Sequence, residues 1–170
     1  PRATVSSPTR NRFKATTAFR LKAEELGAVF HEGTRVDTIE RTGERWLVKT
    51  SRGDFRAPVL VNAAGAWGAE VARMLGDDPV EEPVALMMMV SSRMPHFLDP
   101  TVGCMGRKLS FKQMRAGTVV IGGGHIGKVD RVTELTELDF RKLSESARTA
   151  SAMFPIMKDA TVVRCWAGVE

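Results

Sequence analysis

The sequence predicts a mixed α/β (α+β) fold in two parts, and three observations lead to this prediction. The first part of the chain ends in the apolar run "PVLVNAAG", which is typical of a strand buried on both faces between helix layers. The polar, proline-bounded segment "DDPVEEP" then changes the character of the chain at Asp77. Beyond it, short strand-like segments joined by loops favour an antiparallel sheet.

The first part is predicted to begin with a helix over residues 15–26, because apolar residues recur near every fourth position and Gly27 suits a C-terminal stop. Short strands are expected in "AVFHE", "TRVDTIER", "RWLVKTS" and "DFRAP". The run "VLVNAAG" is predicted as a buried strand, followed by a helix over about residues 66–75 that ends at Gly76. Exposure of residues 59–61 would contradict this sheet.

The second part is predicted to contain strands in "VALMMMVSSR", "RKLSFKQ" and "GTVVIGG", with the three adjacent methionines filling the core. A long helix is expected in "TELTELDFRKLSESARTASAMFP", with Thr133 or Thr136 as its N-cap and Pro155 just past its end. A final strand, "ATVVRCWAG", follows that helix.

Composition excludes several classes of function. The net charge is +5, but basic and acidic residues are interleaved except in the acid-free first 22 residues, so we expect no nucleic-acid binding. No apolar run reaches the ~20 residues that a membrane span needs. Cys104 and Cys165 lack metal-ligand spacing, so we expect free thiols in a cytoplasmic protein and no metal site. Because the chain opens on Pro1 and stops abruptly at Glu170, we expect an internal piece of a longer protein.

The glycines and histidines give only weak evidence for a binding or catalytic site. "IGGGHIG" follows a predicted strand, but it opens no helix and lacks the G-x-G-x-x-G pattern, so a tight turn or close backbone approach is favoured over phosphate binding. His31, His96 and His125 are far apart in sequence, with no carboxylate spacing that links them. His125 ranks first because three glycines precede it, where its side chain could face a cavity.

The stretch "VNAAGAW" differs in kind. Ala63, Ala64 and Gly65 remove bulk where the predicted strand gives way to a helix. Open α/β sheets bind ligands at the carboxyl ends of their strands, and the first amides of a helix present the positive end of its dipole. Small residues would let a planar ligand approach, with Trp67 as one wall. Small residues would equally permit tight helix–strand packing. The residues alone favour neither ligand binding nor packing.

The segments "ELGAVF", "TRVDTIER", "VLVNAAGAW", "FKQ", "GTVVIGGG", "FP" and "VVRCWAG" occur in this order, and together they resemble the FAD-dependent amine oxidoreductases of the D-amino acid oxidase family. The resemblance covers nearly the whole chain from about residue 15. It implies the C-terminal portion of a Rossmann-like FAD-binding domain in residues 1–76 and a substrate (cap) domain with a mainly antiparallel sheet in 77–159. Residues 160–170 would be a strand returning to the FAD-binding domain.

The resemblance also implies a cofactor site, in which FAD is bound by the full-length protein. Val36 would contact the adenine through its backbone. Ala63, Ala64 and Gly65 would lie along the cofactor, and Trp67 would lie beside it. Burial of residues 59–61 is part of this picture, so their exposure would count against the family as well as the sheet.

The implied chemistry is hydride transfer from the carbon bearing the amine to the flavin, which gives an imine and needs no acid or base from the protein. We therefore expect no catalytic dyad. The candidates for the substrate pocket are His125, Trp166 and Gly168. Glu170 stands where amino-acid oxidases of the family place a carboxylate-binding arginine, and the chain has no tyrosine. Simple D-amino acids are thus disfavoured, and "WAGVE" is more similar to the branch of the sarcosine oxidase β-subunit, opine oxidase and hydrogen cyanide synthase.

The implied protein is a cytoplasmic enzyme acting on CH–NH or CH–NH2 donors, with a small amine or amino acid as substrate and other subunits of a hetero-oligomeric oxidase as partners. The chain lacks the G-x-G-x-x-G loop, so we expect it to be inactive and free of FAD when alone. Arg12 lies where some sarcosine oxidases tether FMN through a histidine, so no covalent flavin is expected. The alternatives are a glycerol-3-phosphate dehydrogenase, disfavoured because no phosphate-binding basic cluster is evident, and a non-catalytic subunit that retains the fold as a scaffold.

Overall fold

A computed structural model describes residues 3–6 and 12–170, which divide into two compact units. The smaller unit contains residues 12–82, and the larger combines 3–6 with 83–170. The division lies close to the boundary predicted after residue 76, although the assignment of the units to FAD and substrate stays a prediction.

The elements in chain order are β1 (Ala3–Ser6), α1 (Arg12–Glu25), β2 (Val36–Thr42), β3 (Arg45–Thr50), β4 (Gly53–Ala57), α2 (Gly68–Met74), β5 (Ala85–Arg93), β6 (Thr101–Cys104), β7 (Ser110–Gln113), β8 (Thr118–Gly122), β9 (Ile126–Val129), β10 (Thr136–Glu137), α3 (Phe140–Met153) and β11 (Val162–Val169).

The smaller unit contains α1, an antiparallel sheet in the order β2–β3–β4, and α2. The helix predicted over 15–26 is confirmed as α1, and Gly27 follows it with φ +94°, a conformation that glycine adopts without strain. Gly43, with φ +61°, forms the turn between β2 and β3. Helix α2 contacts β2, and Ile39 and Ala69 are the buried apolar residues of these two elements.

The strand predicted in "VLVNAAG" is wrong for the described chain. Residues 58–64 form no strand, and Val59 and Val61 are 71% and 77% exposed. A run of this kind is buried only when neighbouring strands and helices cover it, and no described strand pairs with it. The helix that follows is confirmed: a 3-10 turn at Gly65–Trp67 leads into α2, and Gly76 comes just after it with φ +86°.

The larger unit is built on an antiparallel sheet, in which eight strands of the described chain take part. Seven follow the order β1–β6–β7–β8–β5–β9–β10, and β11 pairs with β5. Ala85 pairs with both Val169 and Gly127, and Met89 pairs with both Cys165 and Ile121. Therefore β11 runs along one side of β5, while β8 and β9 share the other side, and β5 is central.

The two faces of this sheet differ in composition. Along β5, Ala85, Met87, Met89 and Ser91 are buried, whereas the residues between them are only partly buried. The buried methionines belong to the core that includes Leu143 of α3, so we call this side the helix face and the opposite side the second face. The prediction of core-filling methionines is thus confirmed for Met87 and Met89, while Met88 lies on the second face.

The N-cap of α3 is Asp139, so the expected caps Thr133 and Thr136 are wrong. The Asp139 Oδ1 atom accepts hydrogen bonds from the backbone N–H groups of Arg141, at 3.0 Å, and Lys142, at 3.2 Å. Thr136 pairs instead with Val129 as part of β10, and this pairing delays the helix. The predicted end is confirmed, because α3 stops at Met153 and a 3-10 turn begins at Pro155.

Residues 160–170 lie in the larger unit, and their expected return to the FAD-binding domain stays a prediction. Strand β11 pairs with β5 from Val162 opposite Ser91 to Val169 opposite Ala85. The pairing continues at Glu170, whose backbone N–H donates to the Val84 carbonyl at 2.9 Å. This continuous ladder, together with the packing of alternate β11 side chains against the core of the helix face, holds the segment in the larger unit.

Candidate functional site

The turn before α2 is held together by the side chain of Asn62. Its Nδ2 group donates to the Gly68 carbonyl at 2.8 Å, and its Oδ1 atom accepts from the Ala64 N–H at 3.2 Å. The Trp67 N–H donates to the Ala64 carbonyl at 3.1 Å. Asn62 is a positioning residue that sequence reasoning missed, although asparagine at the start of a turn commonly bonds to backbone groups further along the chain.

The small residues of this turn leave space around them. Gly65 has φ +57°, and a Cβ atom added there would meet no atom within 4 Å. Within the described chain, glycine at this position therefore suits the positive φ of the backbone and is not explained by tight packing. Ala63 is exposed, Ala64 is half-buried, and Trp67 is 41% exposed beside them. A planar group can approach the backbone of this turn, so the residues present fit a bound dinucleotide.

Val36, the fifth cofactor candidate, begins β2 and pairs with Thr50. In the described part of the chain, β2 pairs only with β3, so one side of its backbone has no strand beside it. Val36 itself is half-buried. An edge strand of this kind offers backbone groups to a ligand, which is the role expected of Val36.

Trp166 and Gly168 are brought together on the second face. They are two residues apart in β11, where Trp166 pairs with Met88 and Gly168 with Leu86. The guanidinium carbon of Arg164 lies 5.9 Å from the centroid of the Trp166 ring, within the range of a cation–π contact. A Cβ atom added at Gly168 would meet nothing within 4 Å. This part of the second face is therefore open at Gly168 and carries the Arg164 cation beside the tryptophan.

His125 lies on the other face of the sheet. Leu86 pairs with Ile126, and the next N–H along β5, that of Met87, donates to the His125 carbonyl at 2.9 Å. Residues opposite one another in an antiparallel pair share a face, so His125 lies on the helix face with Met87. His125 is buried, with only 8% of the residue exposed. The structure thus separates His125 from Trp166 and Gly168.

Two of the three glycines before His125 are explained by close contacts, as the sequence favours, while Gly124 has φ +80° and no atom within 4 Å of an added Cβ. A Cβ atom at Gly122 would collide with the Sδ atom of Met88, and one at Gly123 would collide with the backbone of Lys108 and Leu109. No helix begins after these residues, since β9 follows. The prediction of a close backbone approach is confirmed.

The other histidines sit in local pairs. The ring of His31 lies 4.6 Å from that of Phe55, centroid to centroid, and the Nε2 atom of His96 lies 3.0 Å from Asp99 Oδ1. Both are exposed, and neither is placed with another candidate.

Cys104 and Cys165 are free thiols, as expected, and burial raises the pKa of Cys165. Across residues 3–6 and 12–170, no three His, Cys, Asp or Glu side chains are grouped so that they could hold a metal ion. No helix in that part of the chain has the length and apolar character of a membrane span. Much of the basic N-terminal segment, including Arg2 and Arg10, lies outside the described residues. Arg12 begins α1.

Comparison with known proteins gives the class of this chain. Residues 6–170 match the DAO family, described as FAD dependent oxidoreductase. The chain therefore belongs to the DAO family of FAD-dependent oxidoreductases, and FAD is the cofactor of that family. Exposure of Val59 and Val61 contradicts the predicted strand but not the family.

Individual relatives agree with this assignment. The chain is 29% identical to hydrogen cyanide synthase subunit HcnC of Pseudomonas protegens, with 94% of the chain and 38% of the relative covered. It is 32% identical to glycine oxidase of Pseudomonas aeruginosa, with 82% and 37% covered. The crystal structure of L-proline dehydrogenase from P. horikoshii matches with a TM-score of 0.80 and 26% identity, covering 92% of this chain and 42% of that one.

The chain thus spans about two-fifths of the length of these relatives. The likeness confirms the predicted α/β (α+β) class, with part of a Rossmann-like FAD-binding fold and a mainly antiparallel sheet.

Proposed function

We propose that the full-length protein oxidises a small amine or amino acid at its CH–NH or CH–NH2 group and passes a hydride to FAD. The observation that carries this proposal is the family match over residues 6–170. The composition of the second face agrees with it, since Leu86, Met88 and Trp166 lie side by side there. These apolar side chains suit hydride transfer, which needs an oriented contact, and Arg164 adds a positive charge beside the indole.

The cofactor part of the proposal assigns FAD to the turn before α2 and to the start of β2. Ala63, Ala64 and Gly65 would lie along the dinucleotide, with Trp67 beside it and the Val36 backbone at the adenine. The open space at Gly65 and the exposed face of Trp67 support this assignment. When bound, FAD supplies the two-electron acceptor for the substrate C–H bond. Asn62 holds the turn in shape through its two hydrogen bonds.

The substrate part of the proposal assigns Trp166 and Gly168 to the pocket. The indole would exclude water beside the reacting carbon, and the missing side chain at Gly168 would leave room for the substrate. The carbon loses a hydride, the amine nitrogen loses a proton to solvent, and the resulting imine is hydrolysed by water. His125 has no part in this pocket because it lies on the helix face.

Partner subunits are the third part of the proposal. Two relatives, HcnC and the sarcosine oxidase subunit beta of Arthrobacter sp., are named as subunits of larger enzymes. We infer that the full-length protein likewise works beside other subunits, in the cytoplasm, where free thiols such as Cys104 and Cys165 persist. A non-catalytic subunit that keeps the same fold is the alternative.

The test is anaerobic reduction of the purified full-length protein. We expect it to carry FAD that acid denaturation releases into the supernatant, and we expect one of glycine, sarcosine, N,N-dimethylglycine or L-proline to bleach the visible absorbance of the flavin. Bound FAD that no amine reduces would support the non-catalytic alternative. Failure to bind FAD, even after reconstitution, would overturn the cofactor assignment as well.

A further inference from the structure

A cleft of about 560 Å³ opens on the helix face of the larger unit. Three separate segments line it: the loop between β6 and β7, the turn between β8 and β9, and one side of α3. A volume of this size is in the range of small-molecule sites. The lining residues are Arg107, Lys108, His125, Lys142, Glu145, Arg148 and Thr149.

The cleft is strongly cationic. Four of its lining residues are Lys or Arg and one is Glu. The side chains of Arg107, Lys108 and Arg148 make no hydrogen bond or ion pair with any residue that the structure describes. Lys142 is held differently, since its Nζ donates to the Ile126 carbonyl at 2.8 Å. Three cations that pair with no described residue therefore lie around one opening, with Glu145 as the acidic residue of its lining.

His125 adds a polar group to the floor of the cleft. It is more than nine-tenths buried, yet its ring makes no hydrogen bond within the described chain. Glu145 Oε2 lies 3.9 Å from Nε2, which is within ion-pair range but beyond hydrogen-bond distance. No fully enclosed side-chain nitrogen among the described residues lacks a partner, so the ring nitrogens must reach the cleft that His125 lines. A ligand in the cleft can therefore form a hydrogen bond with the imidazole.

Packing holds the lining segments in place. Gly123 lies against the backbone of Lys108 and Leu109, which fixes the loop that carries two of the cations. Lys142, Glu145 and Arg148 follow one another at intervals of three along α3, so they project from the same side of the helix. The opposite side of α3 contributes Leu143 and Ala150 to the core.

We propose that this cleft binds a compact anion with at least two negative charges, such as a diphosphate group or a polycarboxylate. Arg107, Lys108 and Arg148 would bind its oxygens, arginine by paired hydrogen bonds, and His125 would bond to it from the floor. The site lies on the face opposite Trp166 and is separate from the proposed substrate surface. The inference does not rest on the proposed function, because its test measures binding and not oxidation.

The experiment uses the FAD-saturated full-length protein, so that inorganic pyrophosphate cannot report on the dinucleotide site. Calorimetric titration with pyrophosphate, and separately with citrate, is carried out against chloride at matched ionic strength. We expect saturable binding that weakens about tenfold or more in Arg107→Gln/Arg148→Gln. The matched control Arg115→Gln/Lys158→Gln also removes two exposed positive charges of the larger unit, outside the cleft, and should bind within about twofold of the parent.

His125→Phe keeps the ring volume and removes the hydrogen bond, so it should weaken binding while leaving the melting temperature of the ligand-free protein close to the parent value. Binding of both anions supports a general polyanion site, and binding of pyrophosphate alone supports a phosphate-bearing ligand. The proposal is overturned if neither anion binds above the chloride control, or if the control pair loses as much affinity as the cleft pair. Should His125→Phe fail to fold, the two charge-removal pairs still decide the matter.

Discussion

His125 and Trp166 lie on opposite faces of one antiparallel sheet, separated by a single strand. Trp166 pairs with Met88 on one side of β5, and His125 bonds to the backbone of Met87 on the other side. Successive residues of a strand point to opposite faces, so this one-residue difference sends the two side chains apart. The protein therefore presents two surfaces that can be perturbed independently.

Trp166→Ala is expected to lower kcat/KM of the full-length protein by about tenfold or more, because truncating a large aromatic side chain removes apolar contact and admits water. Steady-state kinetics with the amine that reduces the flavin measures this. Phe140→Ala, which removes another large aromatic group at an exposed position of the larger unit, should stay within about twofold. Equal losses in both variants would count against a substrate surface at Trp166.

Gly65→Val is expected to weaken FAD binding by about tenfold or more, because the added side chain occupies the space assigned to the cofactor. Gly43→Val is the matched control. The two glycines have φ values of +57° and +61°, and neither has an atom within 4 Å of an added Cβ. Backbone strain should therefore lower both melting temperatures similarly, by an amount that corresponds to about 1–2 kcal/mol. If the FAD dissociation constant of Gly65→Val stays within about twofold of the parent, the turn does not contact the cofactor.

Gly123→Ala is expected to lower the melting temperature far more than Gly122→Ala. The new methyl group at Gly123 meets backbone atoms of Lys108 and Leu109, which can move only if the β6–β7 loop moves. At Gly122 it meets the thioether of Met88, a flexible side chain that can rotate away. Thermal unfolding of the two full-length variants tests this, and similar melting temperatures would show that the loop is not fixed by Gly123.

Asp139→Asn is expected to change the pH dependence of stability, while Asp139→Ala lowers stability at neutral pH. Hydrogen bonds from the backbone N–H groups of Lys142 and Arg141 lower the pKa of Asp139 in the folded protein. The stabilisation is therefore full above the unfolded pKa of about 3.9 and is lost as the pH falls through the lower folded value. Asparagine caps a helix without titrating. In acid, the melting temperature of the parent should fall toward that of Asp139→Ala, whereas Asp139→Asn should still melt above Asp139→Ala. Melting temperatures that change with pH in the same way for all three proteins would contradict the cap.

The sequence predicted the elements whose signals are local. Pro155 indicates the end of helix α3, and the methionine run indicates that β5 contributes to the core. Its N-cap was missed because Thr136 has the right chemistry, and only its pairing with the distant Val129 commits it to a strand. The strand in "VLVNAAG" failed for a related reason, since burial of Val59 and Val61 depends on neighbours that the described chain does not supply.

The candidate sites show the same limit. Gly65 and Trp67 were found because their signal is contiguous in "VNAAGAW". No basic cluster was evident, because Arg107, Lys108 and Arg148 come from segments far apart in sequence and are brought together only by the sheet. The face that His125 occupies follows from the register of β9 on β5, which no local pattern specifies.

In the cationic cleft, different groups position the loop and bind the ligand. Gly123 packs against the backbone of Lys108 and Leu109 and so positions the loop, whereas the exposed side chains of the loop would contact the ligand. The loop is positioned by main-chain atoms and by the buried Leu109, so its exposed side chains can vary without moving it. Arg107 and Lys108 are both exposed, and substitutions at exposed positions usually change the folding free energy by less than about 0.5 kcal/mol. Substitutions at these two positions can therefore change the ligand preference of the cleft, in evolution or in the laboratory, with little effect on folding. Gly123, in contrast, tolerates almost no substitution, because any side chain there meets the backbone of the loop.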